Sequence, residues 1–252
     1  MAYDLITLRN GLRIVGERMP DIRTAAVGVF VRTGAVNESP EENGYSHFVE
    51  HMVFKGTKEK NAAALAEYTM GAGKGHGSLL YVTVGTGIGG GFVTDGRMIH
   101  GLVHPEMGHM ILAPLEGDTM PDGVCPYHRH CLEGLASGPA IEKRWGLSAK
   151  LMTEDHPAWE LEATYLAQMC VNMIVTVSPE VIVLGGGVMQ QAHLFPKIRA
   201  KVLDLLGGYV SSPSITPEGI DSYIVPPALG VNSGVIGALL LGARALEREG
   251  ER

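Results

Sequence analysis

No stretch of the chain approaches the roughly 18 consecutive apolar residues that a membrane-spanning helix needs. The longest apolar segment, Val235–Leu241, is much shorter and is interrupted by glycine. The opening residues, MAYDLITLRNG, also lack the apolar run of a secretory signal. We therefore expect a chain that is not secreted and has no membrane partner.

Positive charge and cysteine are also scarce. Acidic residues outnumber basic ones by 27 to 20, for a net charge of -7, so the chain lacks the basic surface of a nucleic-acid-binding protein. Three cysteines in 252 residues exclude a disulfide scaffold and favour the reducing cytoplasm. The composition is otherwise that of a globular protein, with 45% hydrophobic residues and 34 glycines. This length allows one large domain or two small ones.

The densest group of metal-binding side chains lies in residues 104–133, HPEMGHMILAPLEGDTMPDGVCPYHRHCLE. Cys125, His128 and Cys131 are spaced three residues apart, and His109 lies upstream. Two thiolates and two imidazoles are a ligand set that a tetrahedral structural Zn²⁺ prefers. The pattern predicts a zinc loop closed by His109. The alternative is a set of scattered residues with no metal.

A second pair of histidines lies in a predicted helix, Ser46–Lys55. His47 and His51 are one turn apart and share a face, with Glu50 beside them as a possible general base for a metal-bound water. This H-x-x-E-H pattern is the inverted zincin motif. The alternative is a helix with two surface histidines. The pair forms an incomplete second metal site, because a catalytic zinc usually has three protein ligands.

The surroundings of this motif resemble the start of the insulinase/pitrilysin and mitochondrial processing peptidase family. The likeness is carried by LRNGLRIVGERMP, VGVFVRTGAVNE and ENGYSHFVEHMVFKGT, and it ends near Lys60. It implies that His47 and His51 are zinc ligands and that Glu50 is the catalytic base. The family's distal glutamate ligand has no assigned counterpart here, so residues 1–60 are predicted to be a peptidase fragment.

Alternating strand and helix patterns predict an α/β fold. Asn10-Gly11 is typical of a type I′ turn and predicts a hairpin of Leu5–Leu8 and Leu12–Met19. Two apolar strands, Leu79–Thr86 and Pro179–Leu184, each lead into a glycine-rich turn, with glycines at 87 and 89–91 after the first strand and at 185–187 after the second. Such turns suit close approach to a phosphate, or else a plain tight hairpin. Further predicted strands are Thr24–Thr33, Phe92–Thr94, Met98–His100 and Ser222–Pro226, and predicted helices are Asn61–Tyr68, Gly138–Trp145, Trp159–Val177, Val188–Leu206 and Ser233–Glu249.

The remainder of the chain, from Asn61 to about Leu246, resembles the ROK sugar kinases (repressor, open reading frame, kinase), and most closely their bacterial fructokinases. The motifs are LYVTVGTGIGGGFV, HPEMGHM, CPYHRHCLEGLASGPAIEKRWG, VIVLGGGVMQQ and YIVPPALGVNSGVIGALLLG. This resemblance implies the actin-like, RNase H-like ATPase fold. It also implies that residues 61–252 form that family's second domain, with nearly all of the first domain missing.

The resemblance also implies site residues. Glu106 and Glu133 bind sugar hydroxyls, and His109 orients the sugar while it binds zinc together with Cys125, His128 and Cys131. The implied cofactors are therefore Zn²⁺ and ATP with Mg²⁺, and the implied partners are a hexose and a second copy of the chain in a homodimer. Two glycine turns are assigned to the nucleotide: Gly85, Thr86 and Gly87 to its phosphates, and Gly185, Gly186 and Gly187 to its adenosine.

The sequence departs from this family in two places. It has no N-terminal Asp-x-Gly-x-Thr phosphate loop, and Glu59 occupies the position of the catalytic aspartate, two residues before Asn61. Phosphoryl transfer depends on positioning and charge stabilisation, so these departures predict an impaired kinase. The sequence as a whole predicts a chimera joined between about Gly56 and Ala64. The alternatives are a zinc peptidase or its inactive remnant, and a non-catalytic, zinc-stabilised module that dimerises.

Overall fold

A computed structural model describes residues 4–7, 13–16 and 57–250 of the chain. The predicted strand over residues 24–33 and the predicted helix over 46–55 lie outside these residues, as do His47, Glu50 and His51.

The N-terminal hairpin consists of β1 (Asp4–Thr7) and β2 (Arg13–Gly16), which pair antiparallel. A two-residue turn at Asn10-Gly11 would place Arg13 opposite Leu8, but Arg13 pairs with Thr7. The hairpin is therefore confirmed, and its pairing differs by one residue from that of a two-residue turn. Because side chains alternate across a strand, this shift changes which residues share a face.

The C-terminal part is an α/β unit. Its strands are β3 (Ser78–Val84), β4 (Ile88–Thr94), β5 (Arg97–Met98), β6 (Ile182–Gly185) and β7 (Ile224–Val225). Its helices are α1 (Thr57–Met70), α2 (Leu132–Ala136), α3 (Gly138–Trp145), α4 (Ala158–Val177), α5 (Leu194–Leu206), α6 (Ile220–Tyr223) and α7 (Ser233–Gly250).

The five strands form one mixed sheet in the order β5-β4-β3-β6-β7. The β3–β4 and β4–β5 pairs are antiparallel, whereas β3–β6 and β6–β7 are parallel. The sheet confirms the predicted α/β class. Because β3 and β6 are parallel neighbours, their carboxyl ends, and the glycine turns that follow, meet at the same edge of the sheet.

The glycine run after β3 differs from its prediction. Residues 89–91 were expected in a turn, but they lie inside β4 and pair with residues 81–83 of β3. Only Gly85, Thr86 and Gly87 form the connection, which is a tight hairpin. The absence of a side chain on Gly90 lets Met107 lie close to β4, because a Cβ on Gly90 would lie 2.8 Å from the Met107 sulfur.

Alternating side chains of β3 contribute to two hydrophobic clusters. Leu80 and Val82 belong to the larger one, which contains the apolar faces of α4 and α5. Leu79 and Tyr81 belong to the smaller one, which contains alanines of α1. Helix α7 packs closely on α1, since a Cβ on Gly237 would lie 1.9 Å from the Ala62 carbonyl oxygen. Among the helices of the described residues, none is long and apolar enough to cross a membrane.

Three predicted elements are corrected in extent. The predicted helix over 188–206 is a 3₁₀ turn at Val188–Gln190 followed by α5. In the predicted strand over 222–226, residues 222 and 223 belong instead to α6, and only residues 224 and 225 form a strand, β7. The strand predicted to end before Gly185 includes it, because Gly185 pairs with Thr83. Helices 138–145 and 158–177 agree with prediction to within one residue at either end.

Candidate functional site

The four predicted zinc ligands come together. One ligand atom from each of His109, Cys125, His128 and Cys131 lies within 4.8 Å of the others. His109 Nδ1 is 3.9 Å from Cys125 Sγ and 3.7 Å from Cys131 Sγ, and His128 Nδ1 is 3.7 Å from Cys125 Sγ. Tetrahedral Zn–S and Zn–N bonds of about 2.3 and 2.0 Å place sulfur and nitrogen about 3.5 Å apart. The donor set therefore fits a zinc ion in both chemistry and size.

Local structure brings Cys131 and His109 together. Cys131 caps the start of α2, where its sulfur accepts a hydrogen bond from Gly134 N–H at 3.4 Å, and it forms an isolated antiparallel bridge with Ile111. This bridge brings the HPEMGH segment against the end of the loop. Burial raises the pKa of the Cys131 thiol to about 11. A nearby cation would therefore be required to stabilise its thiolate at neutral pH.

Buried polar contacts anchor the segment that leads into residues 119–131, which we call the metal loop because they contain three of the four predicted zinc ligands. Asp118 Oδ1 accepts hydrogen bonds from Arg144 Nε at 2.8 Å and from Met120 N–H at 2.8 Å, and Oδ2 accepts from the Tyr165 hydroxyl at 2.6 Å. The side chains of Asp118 and Arg144 are 0% and 2% exposed. Arg144 also donates to the Leu135 carbonyl at the end of α2, at 2.9 Å. The network thus ties both flanks of the metal loop to α3 and α4.

Burial by itself would raise the pKa of Asp118. Hydrogen bonds from Tyr165, the Met120 N–H and the Arg144 guanidinium, together with the charge of Arg144, outweigh burial and lower that pKa. The carboxylate is therefore ionised at neutral pH and forms a buried ion pair.

Glu133 connects the metal cluster to the first glycine turn. Its Oε1 lies 3.8 Å from His109 Nε2, and its Oε2 accepts a hydrogen bond from Ile88 N–H at 2.8 Å. Since His109 directs Nδ1 at the cysteines, its opposite nitrogen faces this carboxylate, as is usual behind metal-bound histidines. A Cβ on Gly87 would lie 2.7 Å from Glu133 Oε2, so a side chain at position 87 would clash with this carboxylate.

The two glycine turns lie side by side. A Cβ on Gly85 would lie 3.9 Å from Gly187 N, and the Gly85 carbonyl accepts a hydrogen bond from Gly138 N–H at 2.8 Å. Gly186 has a φ of +95°, and a Cβ there would lie 2.3 Å from the Val84 carbonyl oxygen. These turns, the Glu133 carboxylate and the metal cluster form one continuous site at the carboxyl ends of β3 and β6.

Other predicted residues stand apart from this arrangement. Glu106 is half exposed and pairs with His104 at 2.6 Å. Glu59 lies in the first turn of α1, and its side chain lies outside the part of the chain that the structure describes. Gly108, in the HPEMGH motif, packs against the start of β4, because a Cβ there would lie 1.9 Å from the Ile88 carbonyl oxygen.

Two groups of buried residues were not predicted from the sequence. They are Glu67 and the Asp118–Arg144–Tyr165 network. For Glu67 a signal was available, since it follows the buried Ala63 and Ala64 at helical spacing and so lies on the apolar face of α1. For Asp118 no local pattern reveals partners that lie 26 and 47 residues downstream.

Comparison with known proteins identifies the family of the C-terminal part of the chain. The family model described as "ROK family" matches residues 51–245. The chain belongs to the ROK family. A fructokinase of Pediococcus pentosaceus is 44% identical over 191 residues, which are 76% of this chain and 64% of the relative. A ROK hexokinase from Thermus thermophilus is similar in structure, with a TM-score of 0.59 at 30% identity over 71% of this chain and 61% of that one. The strands and helices of the ROK part therefore correspond to part of the actin-like ATPase fold of the family's sugar kinases.

The ROK match does not account for the N-terminal segment. A second model, described as "Insulinase (Peptidase family M16)", matches residues 13–78. An uncharacterised zinc protease of Bacillus subtilis is 54% identical over 61 residues, 24% of this chain and 15% of the protease. The two family matches overlap at residues 51–78. The chain spans 60–64% of the length of three curated relatives of its ROK part.

Proposed function

We propose that this chain is a fructokinase-type hexose kinase that uses ATP with Mg²⁺ and is impaired by the loss of its N-terminal phosphate-binding half. The observation that carries the proposal is the position of Glu133, which joins the metal cluster to the first glycine turn. A sugar held by Glu133 would thereby lie beside the turn assigned to the nucleotide phosphates. The fructokinase relatives support fructose as the preferred hexose.

Roles within the site are assigned from the resemblance to the ROK sugar kinases. Glu133 and Glu106 accept hydrogen bonds from sugar hydroxyls, and His109 orients the sugar. The turn at 85–87 offers backbone N–H groups to phosphates, and the turn at 185–187 approaches the adenosine. Glu59 stands where the family has its base. A zinc ion held by His109, Cys125, His128 and Cys131 would fix the loop and so stabilise the fold.

The test is ATP-dependent phosphorylation of fructose by the purified chain, with glucose and mannose as comparison sugars. Sugar phosphate should form slowly and most readily from fructose. The absence of product with every sugar, even at micromolar enzyme and after hours of incubation, would contradict the proposal. Glu106→Ala should abolish sugar binding, because Glu106 is assigned to the sugar. His47→Ala should leave sugar binding unchanged, because His47 belongs to the peptidase-like segment.

The organisation of the chain is part of the proposal. We assign residues 1–60 to a peptidase-derived segment and residues 61–252 to the ROK domain, as the overlapping family matches support. The chain acts in the cytoplasm, where three free cysteines remain reduced. It forms a homodimer, which sedimentation of the purified protein would test.

A second candidate function is zinc peptidase activity, favoured by the match of residues 13–78 to the insulinase model. His47 and His51 would hold the metal and Glu50 would serve as the base, with a third protein ligand unassigned. Cleavage of peptides that is abolished both by chelator and by Glu50→Gln would favour it. A chain that binds zinc and dimerises, but neither cleaves peptides nor phosphorylates sugars, would instead be a non-catalytic module.

A further inference from the structure

A buried carboxylate outside this site joins α1 to the loop before α7. Glu67 lies in the last turn of α1 and is 0% exposed. Its Oε2 accepts hydrogen bonds from Ala72 N–H at 2.9 Å and Ala228 N–H at 3.1 Å. Its Oε1 accepts from Leu229 N–H at 3.0 Å and from the Ser233 hydroxyl at 2.7 Å. Four donors therefore converge on one side chain, and three of them lie 161–166 residues away in sequence.

The surroundings of Glu67 specify a carboxylate. Each oxygen faces two donors, so both must act as acceptors. Glutamine has the same shape, but at either oxygen position its NH₂ group would face at least one buried backbone N–H and leave that donor without an acceptor. A Cβ on Gly71 would lie 2.1 Å from Oε2, so any side chain at position 71 would clash with the Glu67 carboxylate.

The loop that Glu67 holds lies against the second glycine turn. A Cβ on Gly185 would lie 2.9 Å from Pro227 Cγ and 2.6 Å from the Tyr81 hydroxyl. Burial, together with the negative charge of Glu67, raises the pKa of Tyr81 to about 12, so this hydroxyl stays neutral beside the turn. Residues 226–232, which we call the α7 loop, are therefore fixed by Glu67 on one side and contact the Gly185–Gly187 turn on the other.

We propose that Glu67 is a positioning residue for nucleotide binding, which acts by holding the α7 loop against the Gly185–Gly187 turn. This inference rests on the proposed function, since that function assigns the turn to the adenosine. Glu67 touches neither substrate. Because it belongs to α1, it also ties the nucleotide side of the site to the helix that carries Glu59 in its first turn.

The experiment compares the full chain with Glu67→Gln and with a matched control, Glu162→Gln. Glu162 is also buried, and burial raises the pKa of its carboxyl well above the ordinary value, so glutamine resembles its protonated form. Two kinds of experiment give three measurements for each protein. One is hydrogen exchange at the amides of Ala228 and Leu229 without ligand, and the other is calorimetric affinity for Mg-ADP and, separately, for fructose.

In Glu67→Gln we expect at least one of the two amides to exchange at least about tenfold faster and Mg-ADP affinity to fall at least about tenfold, because the amide that faces the NH₂ group loses its acceptor. Fructose affinity should be unchanged, which separates positioning from general loss of structure. Glu162→Gln should match the wild type in all three measurements. Ser233→Ala removes a single donor, and it should give a smaller acceleration of exchange and about a threefold loss of Mg-ADP affinity. Ser233→Ala therefore tests the role of the Glu67 hydrogen bonds even if Glu67→Gln does not fold.

The outcomes separate this inference from the proposed function. A wild-type chain that binds Mg-ADP, with Glu67→Gln or Ser233→Ala binding it equally well, overturns the role of Glu67. Unchanged exchange at Ala228 and Leu229 also overturns it. A wild-type chain that binds neither Mg-ADP nor fructose overturns the proposed function, even where the amides respond as expected.

Discussion

Single glycines determine how closely the segments of the site approach one another. In the Gly185–Gly187 turn, the middle residue has a left-handed backbone and lies against Val84, whereas Gly187 has a φ of -65° and open space where a Cβ would stand. Adjacent positions in one turn therefore differ sharply in their tolerance of a side chain.

Gly186→Ala should destabilise the protein by about 2 kcal/mol or more, since the new methyl group combines an unfavourable φ with a clash against the main chain of β3. Gly187→Ala should change the free energy of unfolding by less than about 0.5 kcal/mol. Urea denaturation of both variants measures the difference. Equal stability of the two variants would contradict the left-handed conformation of Gly186 and its contact with Val84.

Residue-scale prediction from the sequence succeeded where the signal was local. The metal ligands could be proposed because three of them lie within seven residues in a loop rich in turn formers. Glu67 illustrates the limit, because its acceptor role depends on donors at positions 228, 229 and 233 that only the folded chain brings near. The roles assigned to Glu106 and Glu59 remain predictions.

At the scale of elements, the metal loop has two independent supports, the Cys-His cluster at its tip and the Asp118–Arg144–Tyr165 network at its base. The first would act only with a metal bound, whereas the second consists of protein groups alone. Loss of metal should therefore affect the tip of the loop more than its base.

We expect about one zinc ion per chain in freshly purified protein, and we expect Cys131→Ala to lose both the metal and stability, because a structural zinc site contributes folding free energy. Cys170→Ala is the matched control, since Cys170 is also a buried thiol but lies outside the cluster. Elemental analysis and thermal unfolding provide the measurements. Cys131→Ala protein with its full zinc content would disprove the assignment.

Asp118→Asn should cost about 3 kcal/mol at neutral pH, because it leaves the buried Arg144 guanidinium without a counter-charge. The folded state lowers the pKa of Asp118, so its contribution to stability is present above its unfolded pKa of about 3.9 and is lost as the pH falls through the lower, folded value. The difference between wild type and variant, measured by urea denaturation, should therefore shrink below about pH 4.

Asp122→Asn is the control for the buried pair, because Asp122 forms a surface contact with Arg129 at 3.8 Å and both side chains are mostly exposed. It should cost less than about 1 kcal/mol. A cost for Asp122→Asn equal to that for Asp118→Asn would contradict the distinction between the surface ion pair and the buried one.

Element boundaries were predictable where capping residues mark them. Ser137 caps α3 and accepts a hydrogen bond from Ala140 N–H, and Gly146 ends that helix with a left-handed φ, as its sequence indicates. The glycines of β4 misled the prediction, because a glycine run ordinarily indicates a turn. These glycines pair with residues 81–83 of β3, and Gly90 lies close to the Met107 sulfur, which is tertiary packing that the local sequence does not reveal.

At the scale of the whole molecule, the proposed kinase site has two sides, and this chain carries the residues assigned to the sugar side, whereas residues 13–78 match a peptidase family. Catalysis by positioning requires both sides to be held within fractions of an ångström. Hexose affinity should therefore survive better than turnover.

We expect fructose binding in the millimolar range and phosphorylation at least about 10³-fold slower than in an intact two-domain relative, which corresponds to roughly 4 kcal/mol of transition-state stabilisation. Calorimetry and a coupled assay measure the two quantities. Turnover at the roughly 1–10³ s⁻¹ typical of enzymes would contradict this prediction and would make Glu59 the leading candidate for the base.

The order of strands in the sheet has a consequence for synthesis of the protein on the ribosome. β3 ends at Val84, whereas its parallel neighbour β6 begins at Ile182. At about 5–20 residues per second, translation of the intervening segment takes between about 5 and 20 seconds. Throughout that time one edge of β3 has no strand to pair with, so the nascent chain exposes an apolar strand edge that invites aggregation or binding by a chaperone.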